Sequence, residues 1–210
     1  GQAAASFAAT HGASVTLHDT AEPAMLTAVA SAMSESGVTC RFGASEDLAA
    51  LLDAAHLVVH SPSVTLGFPS VKPEVAGPLA AYAARALPLD GSRETRGTIL
   101  ISEPEWTLRL LGTRTVIGVT GTKGKTTTAA LIAAILATNP AHPVELGGNN
   151  GRPLIGRALD LSQSTRVVIE LSELQLPSIV SSVSLGVYTN VTVDHLDRHG
   201  TVERYRSVKR

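Results

Sequence analysis

The sequence predicts an α/β fold made of two parallel-sheet units, the second of which opens on a phosphate-binding turn. Three observations carry this. Short apolar runs alternate with helical patterns through the first half. A turn rich in glycine and threonine, Gly118-Val-Thr-Gly121-Thr-Lys-Gly124-Lys125-Thr126, joins an apolar run to an alanine-rich one. Later apolar runs end in a carboxylate or an amide, as strands do when they deliver groups to the carboxyl edge of a parallel sheet.

In chain order, Gly1 to Gly12 reads as a helix closed by glycine, without a strand before it. Ser14 to His18 is a strand, Pro23 to Ser36 a helix, Val38 to Phe42 a strand, Glu46 to Ala54 a helix and His56 to His60 a strand. Pro62 to Pro78 is turn-rich, Leu79 to Leu87 helical, Thr98 to Ile101 extended and Glu105 to Leu111 a short helix. Gly112-Thr-Arg114 interrupts that helix and marks the division of the chain into 1–112 and 113–210. The second unit has strands at Thr115 to Val119, Val144 to Leu146, Arg166 to Leu171 and Leu185 to Asn190, and a helix at Thr127 to Thr138 that is apolar on most faces. Val202 to Lys209 is a helical pattern that stops with the chain, and the sequence reads as a fragment.

With 44% apolar and 17% charged residues, the 210-residue chain can bury real cores, which excludes a disordered or fibrous class. A net charge of -1 and 3% aromatic residues supply neither a phosphate-attracting field nor stacking platforms, so nucleic acid is not an expected partner. Cys40 is the only cysteine, so no internal disulfide is possible, and it reads as a small buried hydrophobe. The longest apolar run, Ala129 to Ala137, is too short for a membrane span. A cytoplasmic, monomeric protein is expected.

The turn carries the chemistry. Glycines let backbone N–H groups face phosphate oxygens, Lys125 can reach the outer phosphates, and the Thr126 hydroxyl can ligate Mg²⁺ at a helix N-terminus. Gly121, Thr122, Lys123, Gly124, Lys125, Thr126 and Thr127 are therefore the expected triphosphate contacts. The general P-loop spacing puts a glycine where this chain has Val119. Arg166-Val-Val-Ile-Glu170 is a strand ending in an acid that can serve as a metal ligand, or simply meet solvent. Asp194-His195-Leu-Asp197-Arg198-His199, after the Gly186 to Asn190 strand, suits a polyphosphate and metal site or a solvated loop. Gly147-Gly-Asn149-Asn150-Gly151 allows close backbone approach to a sugar or phosphate, or is only a turn.

Five segments in order resemble the Mur ligase family: Thr120-Gly-Thr-Lys-Gly-Lys-Thr126, Gly148-Asn149, Glu170-Leu-Ser-Glu-Leu-Gln-Leu176, Asn190-Val-Thr-Val-Asp-His-Leu-Asp-Arg198 and Tyr205-Arg-Ser-Val-Lys209. The run Glu170 to Leu176 is similar to that of the member adding D-glutamate. The resemblance implies a Rossmann-like domain that binds a UDP-sugar, its first strand missing, followed by a truncated P-loop NTPase-like central domain. It implies ATP-dependent amide bond formation between UDP-N-acetylmuramoyl-L-alanine and D-glutamate, through an acyl phosphate, in peptidoglycan precursor synthesis. Lys125 and the loop amides would hold the β- and γ-phosphates, Thr126 and Glu170 one Mg²⁺, and His195 a second. Asn149 would orient the substrate, and Lys209, if carbamylated, would be an anionic metal ligand. Asp19 and Thr20, after His18, would meet uracil, and Ser61 with Pro62 and Ser63 would face the diphosphate.

The chain departs from the family's usual residues at Ser63, Lys123, Asn150 and Glu173. The domain that supplies the D-glutamate pocket in the family would lie beyond Arg210, so the isolated chain is expected not to turn over. Two other readings stay open. A non-catalytic module would bind ATP or a UDP-sugar without ligation. A nicotinamide-binding Rossmann protein would use Asp19 on a ribose hydroxyl, although only Gly1 of any glycine fingerprint is present.

Overall fold

The computed structural model describes residues 1–43, 47–62, 64, 73–88, 97–192 and 200–208. The first half contains α1 (Gln2–Thr10), β1 (Thr16–Asp19), α2 (Thr27–Glu35), β2 (Thr39–Phe42), α3 (Leu48–Asp53), β3 (Leu57–His60), α4 (Pro73–Arg85), β4 (Ile99–Ser102) and α5 (Glu103–Leu111). The second contains β5 (Thr115–Thr120), α6 (Lys125–Leu136), β6 (Val144–Gly148), β7 (Arg166–Glu170), β8 (Leu185–Tyr188) and α7 (Val202–Val208).

Among the described residues every pair of named strands is parallel, as expected from the alternation of strand and helix. The first half holds two separate pairs, β1 with β2 and β3 with β4, and the second a four-stranded sheet in the order β6-β7-β5-β8. Three helices differ from the sequence reading. The segment Pro23–Leu26 is a 3-10 turn, with proline in its first turn, and α2 proper begins at Thr27. The helix α4 starts at Pro73 rather than at Leu79 and carries Pro78 inside it. Here Gly77, the residue before the proline, has no Cβ for the ring to crowd, and the helix runs through a residue that normally marks a break. The helix α6 begins at Lys125, two residues earlier than its apolar pattern, since Gly124 at φ 79 turns the chain directly into it.

The four-stranded sheet is covered on both faces, which is why its strands read as continuous apolar runs rather than as alternating ones. Val116, Val167 and Ile169 face a cluster completed by Leu108, Leu111, Leu154, Ala158, Leu161 and Leu171. The alternate residues Ile117, Val119 and Val168 face Ala129 and Ala133 of α6. Strand period two therefore sends Glu170, two residues after Val168, to the α6 side. The register sets Glu170 level with Val119 of β5 and Gly148 of β6.

Two anchors tie the first half to this sheet. Phe7 of α1 packs with Ile155, and its ring meets Trp106 edge-on at 5.4 Å between centroids. The helix α5 inserts Leu108 and Leu111 into the first of the two sheet clusters. Its cap residue Ser102 accepts from the Glu105 N–H at 3.3 Å and donates to the Ser178 carbonyl at 3.2 Å. Glu105 is 0% exposed and accepts from the Val180 and Ser181 N–H groups at 2.8 and 2.9 Å, the Ser181 hydroxyl at 2.8 Å and Arg109 Nε at 2.7 Å. Burial pushes its carboxyl up. The donors from Ser181, Val180 and Arg109 outweigh burial and hold it below the ordinary glutamate value. Cys40 is half-buried against Ala5, Met33 and Val38, close to the role its strand pattern predicts.

Candidate phosphate and metal site

Three elements of the second sheet converge at its carboxyl edge. The strand β5 ends at Thr120, the turn runs through Gly121 to Gly124, and α6 starts with Lys125-Thr126-Thr127. The turn is pinned from β8 and the residues after it. Asn190 accepts the Lys123 N–H on Oδ1 at 3.1 Å and returns its Nδ2 to the Lys123 carbonyl at 3.0 Å. This reciprocal amide pair holds one residue of the loop as a sheet ladder would. Thr189 Oγ1 adds a bond to the same carbonyl at 2.6 Å, and the Thr122 N–H donates to the Asn190 carbonyl at 2.9 Å.

Such closeness leaves no room beside Gly121. At φ 150, a Cβ there would strike the Thr189 hydroxyl and sit 3.0 Å from the Asn190 carbonyl oxygen. Gly121→Ala is therefore expected to cost at least about 2 kcal/mol of stability, through backbone strain and overpacking together, and denaturant unfolding checks it.

Lys125 folds back over the loop and donates from Nζ to the Gly121 and Thr122 carbonyls at 3.0 and 3.1 Å. Its ammonium thus stays beside the N-terminus of α6, where the helix dipole and free N–H groups favour an anion. Thr126 Oγ1 donates to Glu170 Oε2 at 2.7 Å, and Asn149 Nδ2 to Glu170 Oε1 at 3.3 Å. The Asn149 N–H also bonds the Glu170 carbonyl, at 2.9 Å. Gly148, at φ 102, makes this approach possible, since a Cβ there would collide with the Glu170 backbone.

Glu170 is 3% exposed, and among the described residues no cation pairs with it. A buried carboxylate held by neutral donors, beside a threonine hydroxyl at a helix N-terminus, is a hard oxygen set suited to Mg²⁺. Among the described residues no group of three or more His, Cys, Asp and Glu side chains forms that could hold a metal. His195 and Lys209, the other expected metal ligands, lie outside the described residues, as does Ser63.

The expected nucleotide-sugar contacts lie on other sheets. Asp19 ends β1 and accepts the Ala21 N–H at 3.0 Å, with half-buried Thr20 between them. Ser61 follows β3, where its carbonyl accepts the Val64 N–H at 2.9 Å. Both positions leave carboxyl ends of parallel strands, the edge at which such sheets bind ligands. His60, next to Ser61, is shifted by burial toward its neutral form.

The loop clamp went unseen in the sequence. Asn190 reads as a strand end and Tyr205 as one residue of a helical pattern, yet Asn190 grips Lys123, and the Tyr205 hydroxyl lies 2.8 Å from Thr122 Oγ1. The available signals were an amide at the end of an extended run and the place of Asn190 and Tyr205 at the head of two of the family-like segments.

Comparison with known proteins fits this geometry. Residues 119–210, which contain the turn, Asn149, Glu170 and Tyr205, match the Mur ligase middle domain. Over its second half the chain is similar to the Mur ligase family. It is 37% identical over all 210 residues to the UDP-N-acetylmuramoylalanine--D-glutamate ligase of Anaeromyxobacter dehalogenans, covering 40% of that protein. It is 35% identical over the same span to the enzyme of that name from Gloeobacter violaceus, covering 43% of it. Over 95 residues, 45% of this chain and 21% of the relative, identity to the Symbiobacterium thermophilum ligase of the same name reaches 44%. The chain thus spans about two fifths of the length of the first two Mur ligases. Among its described residues no helix is long and apolar enough to cross a membrane.

Proposed function

We propose that this chain carries the nucleotide-binding part of an ATP-dependent ligase that joins D-glutamate to UDP-N-acetylmuramoyl-L-alanine, a cytoplasmic step of peptidoglycan precursor synthesis performed by a monomer. The observation that carries the reading is the buried Glu170, bonded to Thr126 and Asn149 at the mouth of the phosphate turn. Residues 113–210 hold ATP and residues 1–112 the uridine nucleotide, with Asp19 and Thr20 toward the base and Ser61 toward the diphosphate.

In this reading the substrate carboxylate attacks the γ-phosphorus and ADP leaves, giving an acyl phosphate. The D-glutamate amine then attacks the acyl carbon, loses a proton, and inorganic phosphate departs. The chain's own part in the first step is positioning and charge neutralisation. Loop N–H groups and Lys125 take the β- and γ-phosphates, Thr126 and Glu170 hold Mg²⁺, and Asn149 orients the acceptor. Bound there, the metal would neutralise phosphate charge. His195 and Lys209 belong to the same proposed metal set.

Equilibrium titration of the 210-residue chain tests this. MgATP and UDP-N-acetylmuramoyl-L-alanine are each expected to bind, whereas NAD is not; absence of both bindings, or NAD displacing the uridine nucleotide, would overturn it. D-glutamate-dependent phosphate release is expected to be at background for this chain, because the glutamate pocket is assigned to the part of the relatives' length that it does not span. A coupled phosphate assay reads that outcome.

A further inference from the structure

We propose that Tyr205 is a positioning residue for the phosphate turn, acting through the Thr122 hydroxyl; this rests on the reading of that turn as the ATP site. Tyr205 is 0% exposed and is the only buried residue of α7. A seven-residue helix is too short to hold itself together, and this ring is its fully buried contact. The ring ends in a hydroxyl 2.8 Å from Thr122 Oγ1, and Thr122 is itself 7% exposed.

The Thr122 hydroxyl is a shared junction. The Thr192 N–H donates to Thr122 Oγ1 at 3.1 Å, and Thr122 Oγ1 donates to the Thr192 carbonyl at 3.2 Å. A threonine hydroxyl has one proton and two lone pairs. Its oxygen accepts from Thr192 N–H, and the bond to Tyr205 can run in either direction. Thr122 then makes three bonds through one buried oxygen.

The main chain of this same residue receives Lys125. Its carbonyl accepts Lys125 Nζ at 3.1 Å, and its N–H is fixed on the Asn190 carbonyl at 2.9 Å. Tyr205 therefore bears on the loop segment that sets where the ammonium rests, without itself reaching a phosphate. A tyrosine needed only to fill the core would be replaceable by phenylalanine. One that holds the turn would not.

Hydrogen exchange and calorimetry on the whole chain separate these roles. In Tyr205→Phe without nucleotide, amides of the turn are expected to exchange roughly tenfold faster, the worth of about one net hydrogen bond. MgATP affinity should fall by roughly fivefold to tenfold for the same reason. Thr122→Val should reproduce both effects, and Tyr205→Phe should add nothing in a Thr122→Val background. Unchanged exchange of the turn in a folded Tyr205→Phe chain would overturn the proposal, as would additive losses in the double variant. Where Tyr205→Phe does not fold, unchanged exchange in Thr122→Val overturns it equally. Faster exchange in a chain whose parent binds no MgATP would leave the clamp standing and remove the nucleotide reading.

Discussion

Lys125→Ala is expected to weaken MgATP binding by at least about a hundredfold, because it removes an ammonium folded over the turn, and a charge-assisted phosphate contact in a sheltered site is worth about 3 kcal/mol. In the protein this ammonium already rests on the Gly121 and Thr122 carbonyls, so little rearrangement separates its position from one on a phosphate. The loop itself should survive the change. Its shape depends on Asn190, Thr189 and Thr122 main-chain bonds that do not involve the lysine. Calorimetric titration should therefore show lost affinity with unfolding curves nearly superimposable on the parent's. Unchanged affinity would remove the phosphate assignment. Lys125→Arg is expected to rescue poorly, since a planar guanidinium does not replace a compact ammonium on two convergent carbonyls.

The largest loss of stability is expected at Glu105, which neither the turn nor the metal set includes. Glu105→Ala should cost about 3 kcal/mol, by leaving the Val180 and Ser181 N–H groups and Arg109 without their buried acceptor and opening a void at a 0% exposed position. Urea unfolding at neutral pH measures it. The pH dependence has a fixed sign. The folded carboxyl titrates below its unfolded value of about 4.3, so its contribution is complete above that value and is lost as pH falls through the folded one. The gap in stability between the parent and Glu105→Gln should accordingly narrow toward acid. A gap that widened there would show that the carboxylate is not the stabilising form.

What sequence could reveal follows from the range of the interactions. The strands and the turn are legible because their signals are local: apolar runs, a glycine at Gly124 that turns the chain into α6, and a carboxylate closing an apolar run at Glu170. The meeting of Thr126 with Glu170 follows only once β7 is known to lie beside β5, a fact of topology rather than of either segment. Less legible are the bonds between distant, chemically plain residues. Asn190 to Lys123 spans 67 positions, Tyr205 to Thr122 spans 83 and Glu105 to Ser181 spans 76, and nothing local to either partner marks the pair. The early start of α4 is a different kind of miss. There a real local rule, proline ending a helix, is relaxed by Gly77, which has no Cβ for the Pro78 ring to crowd.

The strand β7 lies between β6 and β5, with Val168 and Glu170 on one face and Val167 and Ile169 on the other. A slip of one residue in its pairing would turn that whole arrangement over, presenting Ile169 or Leu171 to Thr126 and driving a carboxylate toward Leu108 and Leu111. Such a misregistered sheet would lose its core and its acid in the same movement. Folding and the placement of this acid at the turn are thus one event in the chain: no stable sheet lacking the acid there is one residue away, and Glu170 serves as the checksum of the register.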